Sequence, residues 1–173
     1  SSDIITDFAF GDVNDDGFDD IIYSPYSGIK KIRVLINPTD NSSNWEEIIL
    51  TEEARTVIGV FDINTDGWND IIYEDVTTHI NYYKNNSGEF TESVLIYNPT
   101  YTLTLFKTAD IDLDGDIDIV GHFNSTGTLF FKNQGDGTVN TTIISSDFYE
   151  HQLAVDDFDG DGYGTADDSV LSC

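Results

Sequence analysis

The sequence predicts an all-β chain of four-stranded antiparallel blades repeated every ~48 residues, and three observations predict it. First, an aspartate-rich loop recurs: residues 12–20 read DVNDDGFDD, residues 62–70 DINTDGWND and residues 110–118 DIDLDGDID, and a fourth begins DFDGDGY at Asp157. Their first aspartates are 50, 48 and 47 residues apart. Second, each of the first three loops lies between runs of β-branched and aromatic residues, as a loop between two strands should. Third, no stretch of 11 or more residues repeats its apolar positions at a helical period. Even spacing near this value is the mark of a solenoid or a propeller, and four strands per unit favour a β-propeller or part of one.

The elements follow in order. The first unit places a strand from Ile4 to Phe10, the loop, then Ile21 to Tyr23, Lys31 to Ile36 and Trp45 to Leu50. The second runs from Thr56 to Phe61, through its loop to Ile71 to Tyr73, then Ile80 to Lys84 and Phe90 to Tyr97. The third has Leu103 to Lys107, the loop, Ile119 and Val120, Leu129 to Lys132 and Val139 to Ile144. Stretches of Asn, Gly, Ser, Asp and Pro separate the runs, the composition of hairpin turns. Residues 1–156 are read as three blades and the first strand of a fourth. Residues 157–173 are read as a further acidic metal-binding loop that starts a linker or another module.

The charge has a definite address. The chain of 173 residues carries 33 acidic and 7 basic side chains, a formal net charge of -26. Of its 25 aspartates, 19 lie in residues 12–20, 62–70, 110–118 and 156–168, so this is not a uniformly acidic surface. Clustered carboxylates repel unless a cation neutralises them. An aromatic content of 13% sets the chain apart from disordered acidic tails. Nucleic acid and anionic membrane surfaces are excluded as main partners by repulsion, and no apolar run approaches the length of a membrane span. The lack of any methionine leads to the expectation that the chain is an excerpt of a longer polypeptide.

Oxygen ligands at loop positions one, three, five and nine suit a hard cation, and the glycine at position six allows the backbone to wind around it. The candidate ligands are Asp12, Asn14, Asp16 and Asp20; Asp62, Asn64, Asp66 and Asp70; and Asp110, Asp112, Asp114 and Asp118, with the carbonyls of Phe18, Trp68 and Asp116 at position seven. Position twelve, where an EF-hand keeps its bidentate acid, is Tyr23, Tyr73 or Gly121, so position nine supplies the acid instead. No Cys or His accompanies these loops, which disfavours zinc and copper. Calcium is expected, at three sites and at a fourth if the last loop binds.

The pattern Asp-x-(Asp/Asn)-x-Asp-Gly-x-x-Asp followed by a hydrophobic pair resembles the FG-GAP/VCBS repeat proteins, a family of calcium-binding β-propellers. Residues 129–138, LFFKNQGDGT, look like that family's turn between third and fourth strands, and the resemblance covers about residues 4–156. The fourth loop departs from it: position nine is Thr165, while Asp157, Asp159, Asp161 and Asp168 have EF-hand spacing, with the Tyr163 carbonyl at position seven. From there to Cys173 the chain is similar to acidic, cysteine-containing metal-binding motifs of bacterial surface proteins. That likeness implies a disulfide from Cys173 to another segment or chain; the alternative is a truncated fourth blade.

Other candidates weigh less. His79, His122 and His151 have no Ser or Cys partner at a catalytic spacing, and the Gly160–Gly164 run lacks the helix a dinucleotide site needs. The chain is therefore expected not to be an enzyme. Asn41, Asn85, Asn124 and Asn140 begin N-glycosylation tripeptides. The resemblance and the proposed calcium loops together imply a secreted or cell-surface module for recognition, adhesion or scaffolding, with a protein or glycan ligand. The alternatives are a lectin, or a non-catalytic appendage of a secreted polysaccharide-degrading enzyme. Since propellers close with four to eight blades, missing blades or another copy of the chain are expected as partners.

Overall fold

The computed structural model describes residues 5–25, 30–40 and 44–146. Among them every regular element is a β-strand, and all strand pairs are antiparallel. The first blade consists of β1 (Ile5–Gly11), β2 (Asp20–Pro25), β3 (Lys31–Ile36) and the first half of β4 (Glu46–Phe61). The second takes the other half of β4 with β5 (Asp70–Asp75), β6 (Ile80–Asn86) and β7 (Glu89–Tyr97). The third is β8 (Leu103–Ala109), β9 (Asp118–Phe123), β10 (Gly127–Asn133) and β11 (Val139–Ser145). Strand order in each blade is sequential, the meander expected of a propeller blade. The segment 147–156, expected to open a fourth blade, and the acidic segment 157–173 lie outside the described residues.

One expectation is corrected. The runs Trp45 to Leu50 and Thr56 to Phe61 are a single strand, β4, with no break between them. Residues 51–55 hold no Gly, Pro or Asn to turn the chain, so the backbone stays extended and changes partner instead. Glu53 still pairs with Lys31 of β3, and Ala54 already pairs with Asp75 of β5. The Ala54 N–H donates to the Lys30 carbonyl at 2.7 Å, and register shifts on either side absorb the change of direction.

The chain divides into two units, residues 1–62 with 66–99 and residues 63–65 with 100–173. In the first, the two blades bury one apolar cluster between them. Ala9, Val13, Ile22, Ile32, Val34 and Leu50 come from one blade; Ala54, Val57, Ile71, Tyr73 and Tyr83 come from the other. The Tyr73 and Tyr83 rings stack at 5.4 Å within it. In the second unit, Leu103, Ile119, Val120, Phe123, Leu129 and Phe131 are buried. Gly121 leaves room for them: a Cβ at this position would stand 2.8 Å from Leu103 Cδ1 and 3.2 Å from Phe123 Cε2. These packed sheets fix the three aspartate loops as the β1–β2, β4–β5 and β8–β9 connections.

Candidate metal centres

Each loop is shaped by its own carboxylates. Asp12 Oδ1 accepts from the Asn14 and Asp16 amides at 3.2 Å, and Oδ2 accepts from Gly17 at 2.7 Å. Asp62 repeats this with Asp66 and Gly67, and Asp110 with Gly115 at 3.1 Å. The aspartate at position five accepts from the amide at position seven: Phe18 to Asp16, Trp68 to Asp66 and Asp116 to Asp114. These are Asx turns, which bend the chain around the acid. Two backbone positions per loop are left-handed. Glycine holds one of them, Gly17, Gly67 or Gly115, as expected; Asp15, Thr65 and Leu113 hold the other, with φ of 60°, 54° and 58°.

The position-nine aspartates Asp20, Asp70 and Asp118 are fully buried. Asp20 Oδ2 accepts from Val13 N–H at 3.0 Å and Asp118 Oδ2 from Ile111 N–H at 3.0 Å, closing each loop on its second residue. The other oxygen reaches across to the end of the blade's third strand. There the amides of Asn37, Asn85 and Asn133 donate to Asp20, Asp70 and Asp118 at 2.8, 2.7 and 2.8 Å. Burial pushes the Asp20 and Asp118 carboxyls above their usual range, against the lowering by these amides. A nearby cation would relieve that cost.

The three asparagines are a component that sequence reasoning missed. Their side-chain amides donate to the carbonyls of Asp19, Asn69 and Ile117, the residues just before the position-nine acids. Asn85 also donates to the Val13 carbonyl at 2.7 Å and accepts from Gly88. Of the asparagines that begin glycosylation tripeptides, Asn85 is fully buried, with its amide nitrogen donating to two carbonyls. Asn124 and Asn140 are exposed, and Asn41 lies outside the described residues.

Among the described residues, three acids gather closely enough to share an ion in the third loop. One ligand oxygen from each of Asp110, Asp112 and Asp118 lies within 4.8 Å of the others. Asp110 Oδ1 is buried and accepts no hydrogen bond, an arrangement that costs free energy unless something positive meets it. The donor set is all oxygen, which fits a hard cation. In the first loop Asn14 stands at position three and turns its amide nitrogen to Asp16 Oδ2 at 3.0 Å. The proposed ligands Asp157, Asp159, Asp161, Tyr163 and Asp168, and also Cys173, lie outside the described residues.

Two lysines complete the picture, and neither was among the candidates. Lys132 Nζ bonds Asp112 Oδ2 and lies 2.9 Å from Asp114 Oδ2. Its bonds to Asp112 and then Asp114 hold the ammonium far above the usual lysine range, and the same contact holds Asp114 low. Lys84 Nζ lies 3.5 Å from Asp66 Oδ2. Of the histidines, His122 is buried with Nδ1 3.1 Å from Thr128 Oγ1, and His79 sits in the turn capped by Asp75.

Comparison with known proteins agrees with this reading of the repeat. Residues 62–121 match the model of the FG-GAP-like repeat, a stretch that contains the second and third loops. No curated protein matches the chain. A solved structure that does match is a lectin of Agrocybe aegerita, described for its specific recognition of non-reducing terminal N-acetylglucosamine. The similarity has a TM-score of 0.55 at 20% identity and covers 82% of this chain. This chain spans 39% of the lectin's length. The likeness is one of fold.

Proposed function

We propose that the chain is a calcium-stabilised part of an extracellular β-propeller, acting as a non-catalytic module for recognition, adhesion or scaffolding. The observation that carries the proposal is the third loop, where Asp110 gathers with Asp112 and Asp118 and one of its two carboxylate oxygens, Oδ1, is buried without a hydrogen bond. Asp114 and the Asp116 carbonyl would complete a shell of the kind calcium prefers. The first and second loops supply Asp12, Asn14, Asp16 and Asp20 and the corresponding Asp62, Asn64, Asp66 and Asp70, giving three sites.

Calcium would neutralise carboxylates that the fold draws together, so its binding energy becomes folding energy. Extracellular modules bind calcium with Kd of about 10⁻⁴–10⁻³ M. At about 1 mM calcium each site then contributes roughly 0.4–1.4 kcal/mol, and three sites a few kcal/mol. The expected result is a melting midpoint several degrees higher in 1–2 mM calcium than in EDTA, with magnesium a poor substitute. An equal midpoint in calcium and EDTA would refute the calcium reading.

A glycan is the second reading for the ligand. It is favoured by the lectin neighbour and by the exposed rings of Trp45 and Tyr101, which suit stacking on a sugar. Binding on a glycan array that is lost in Trp45→Ala or Tyr101→Ala would separate it from adhesion to protein.

A further inference from the structure

At ligand positions one, three, five and nine the third loop holds four carboxylates against three in each of the first two, and it also holds a cation of its own. Position three is Asp112 there, against Asn14 and Asn64 in the others. Lys132, one residue before Asn133 at the end of β10, lays its ammonium on the Oδ2 atoms of both Asp112 and Asp114. The same place in the second blade, one residue before Asn85, is Lys84, whose ammonium stands further off, at 3.5 Å from Asp66 Oδ2. In the first blade it is Ile36, which has no charge. The lysine is most tightly engaged in the loop whose position three is an aspartate.

Resting on the calcium reading above, we propose that Lys132 is a tethered cation that competes with the metal ion for the third loop and so sets its affinity. An ammonium carries one charge and is satisfied by two or three acceptors; calcium carries two and asks for six to eight oxygens at about 2.3–2.6 Å. The same Asp112 and Asp114 oxygens cannot be given wholly to both. Without the ion, Lys132 holds those two carboxylates together and keeps the loop in shape. On binding, the ammonium has to swing off Asp112, and its nearby charge opposes the ion until it does. Lys84 would do the same more weakly in the second loop, while the first loop meets calcium without such a rival.

The loops can be followed separately, because each has one glycine at position six, and the Gly115 amide points at Asp110 Oδ2. A calcium titration monitored by ¹H–¹⁵N correlation spectra would read the Gly17, Gly67 and Gly115 amides in the wild type and four variants. In Lys132→Met and Lys132→Gln, Gly115 should titrate at roughly tenfold lower calcium, while Gly17 moves little. Lys132→Arg, which keeps the charge, should stay near the wild type. Lys107→Met, which removes an exposed lysine of β8 that forms no hydrogen bond or ion pair with the loop, should change Gly115 less than twofold. In EDTA, Lys132→Met should melt below the wild type, since the carboxylates lose their counterion. Gly115 titrating at equal or higher calcium in Lys132→Met and Lys132→Gln would overturn the role of the lysine alone. A Gly115 amide that calcium moves in none of the proteins would overturn the calcium reading, and this inference with it.

Discussion

Leu113 occupies a backbone position that a branched aliphatic side chain seldom takes. Its φ is 58° and its side chain is 46% exposed, so no burial compensates for the left-handed strain. Asp15 holds the matching place in the first loop, where a short polar side chain tolerates that conformation. Leu113→Asn should therefore raise unfolding stability by about 1 kcal/mol in EDTA, measured by denaturant titration; a loss of stability would show that the leucine has a packing role. A second residue-scale prediction concerns Asp75. Burial alone would raise its carboxyl, but the Thr77 hydroxyl and the amides of His79 and Thr77 outweigh this and hold it low. A depressed folded value means stability that is present above the unfolded pKa of about 3.9 and lost as pH falls through the folded value. Asp75→Asn should cost roughly 1 kcal/mol at pH 7, and its difference from the wild type should shrink below about pH 4. A difference independent of pH would assign the effect to shape rather than charge.

At the scale of elements, the end of the third strand of each blade is as much part of the aspartate loop as the loop itself. Asn133 joins β10 to the β8–β9 loop through its own amide on Asp118 and its side-chain donor on Ile117, while its side-chain oxygen accepts from Gly135 in the β10–β11 turn. Asn133→Ala keeps the first bond and leaves the Ile117 carbonyl and the Gly135 amide unpaired in a partly buried site. We expect a cost of about 2 kcal/mol, together with weaker calcium binding at the third loop as Asp118 loses its alignment. A thermal melt in EDTA and the Gly115 titration measure the two separately. If neither moves, the asparagine is a bystander. These contacts explain what the sequence made legible. Loop spacing, strand runs and the aspartates that shape each loop could be read because each residue type there has a local reason to be present. Asn37, Asn85 and Asn133 could not, since an asparagine in a turn is ordinary and its partner lies 15 or 17 residues away. The recurring Lys-Asn pairs at 84–85 and 132–133 were the available signal. The junction of β4 was also hidden, because a strand that changes partners without a turn leaves no Gly or Pro to mark it.

At the scale of the whole molecule, the repeat shows what the faces of a blade are for. In the first unit, the second blade turns Ile71, Tyr73 and Tyr83 into the shared core. The matching positions of the first blade, offset by the 50-residue period or, on the third strand, by 48, are Ile21, Tyr23 and Leu35. They lie on the opposite face from Ala9, Ile22 and Val34, which that blade contributes to the core. Beside them Phe8 and Phe10 are 54% and 60% exposed, although their counterparts in the second blade are the buried Ile58 and the core-packed Val60. The first blade thus leaves half-buried, with Phe8 and Phe10 exposed beside it, the surface that the second blade buries. An apolar sheet face of this kind drives association. We expect the chain in calcium to associate with rising concentration in sedimentation velocity. Phe8→Ser combined with Phe10→Ser should sediment as a monomer, with a melting midpoint little changed because neither ring is in the core. A wild-type chain that stays monodisperse and monomeric across the whole concentration range would show that this face needs no neighbour. Association undiminished in the double variant would place the contact elsewhere, with the exposed Ile143 and Ile144 of β11 the next surface to test.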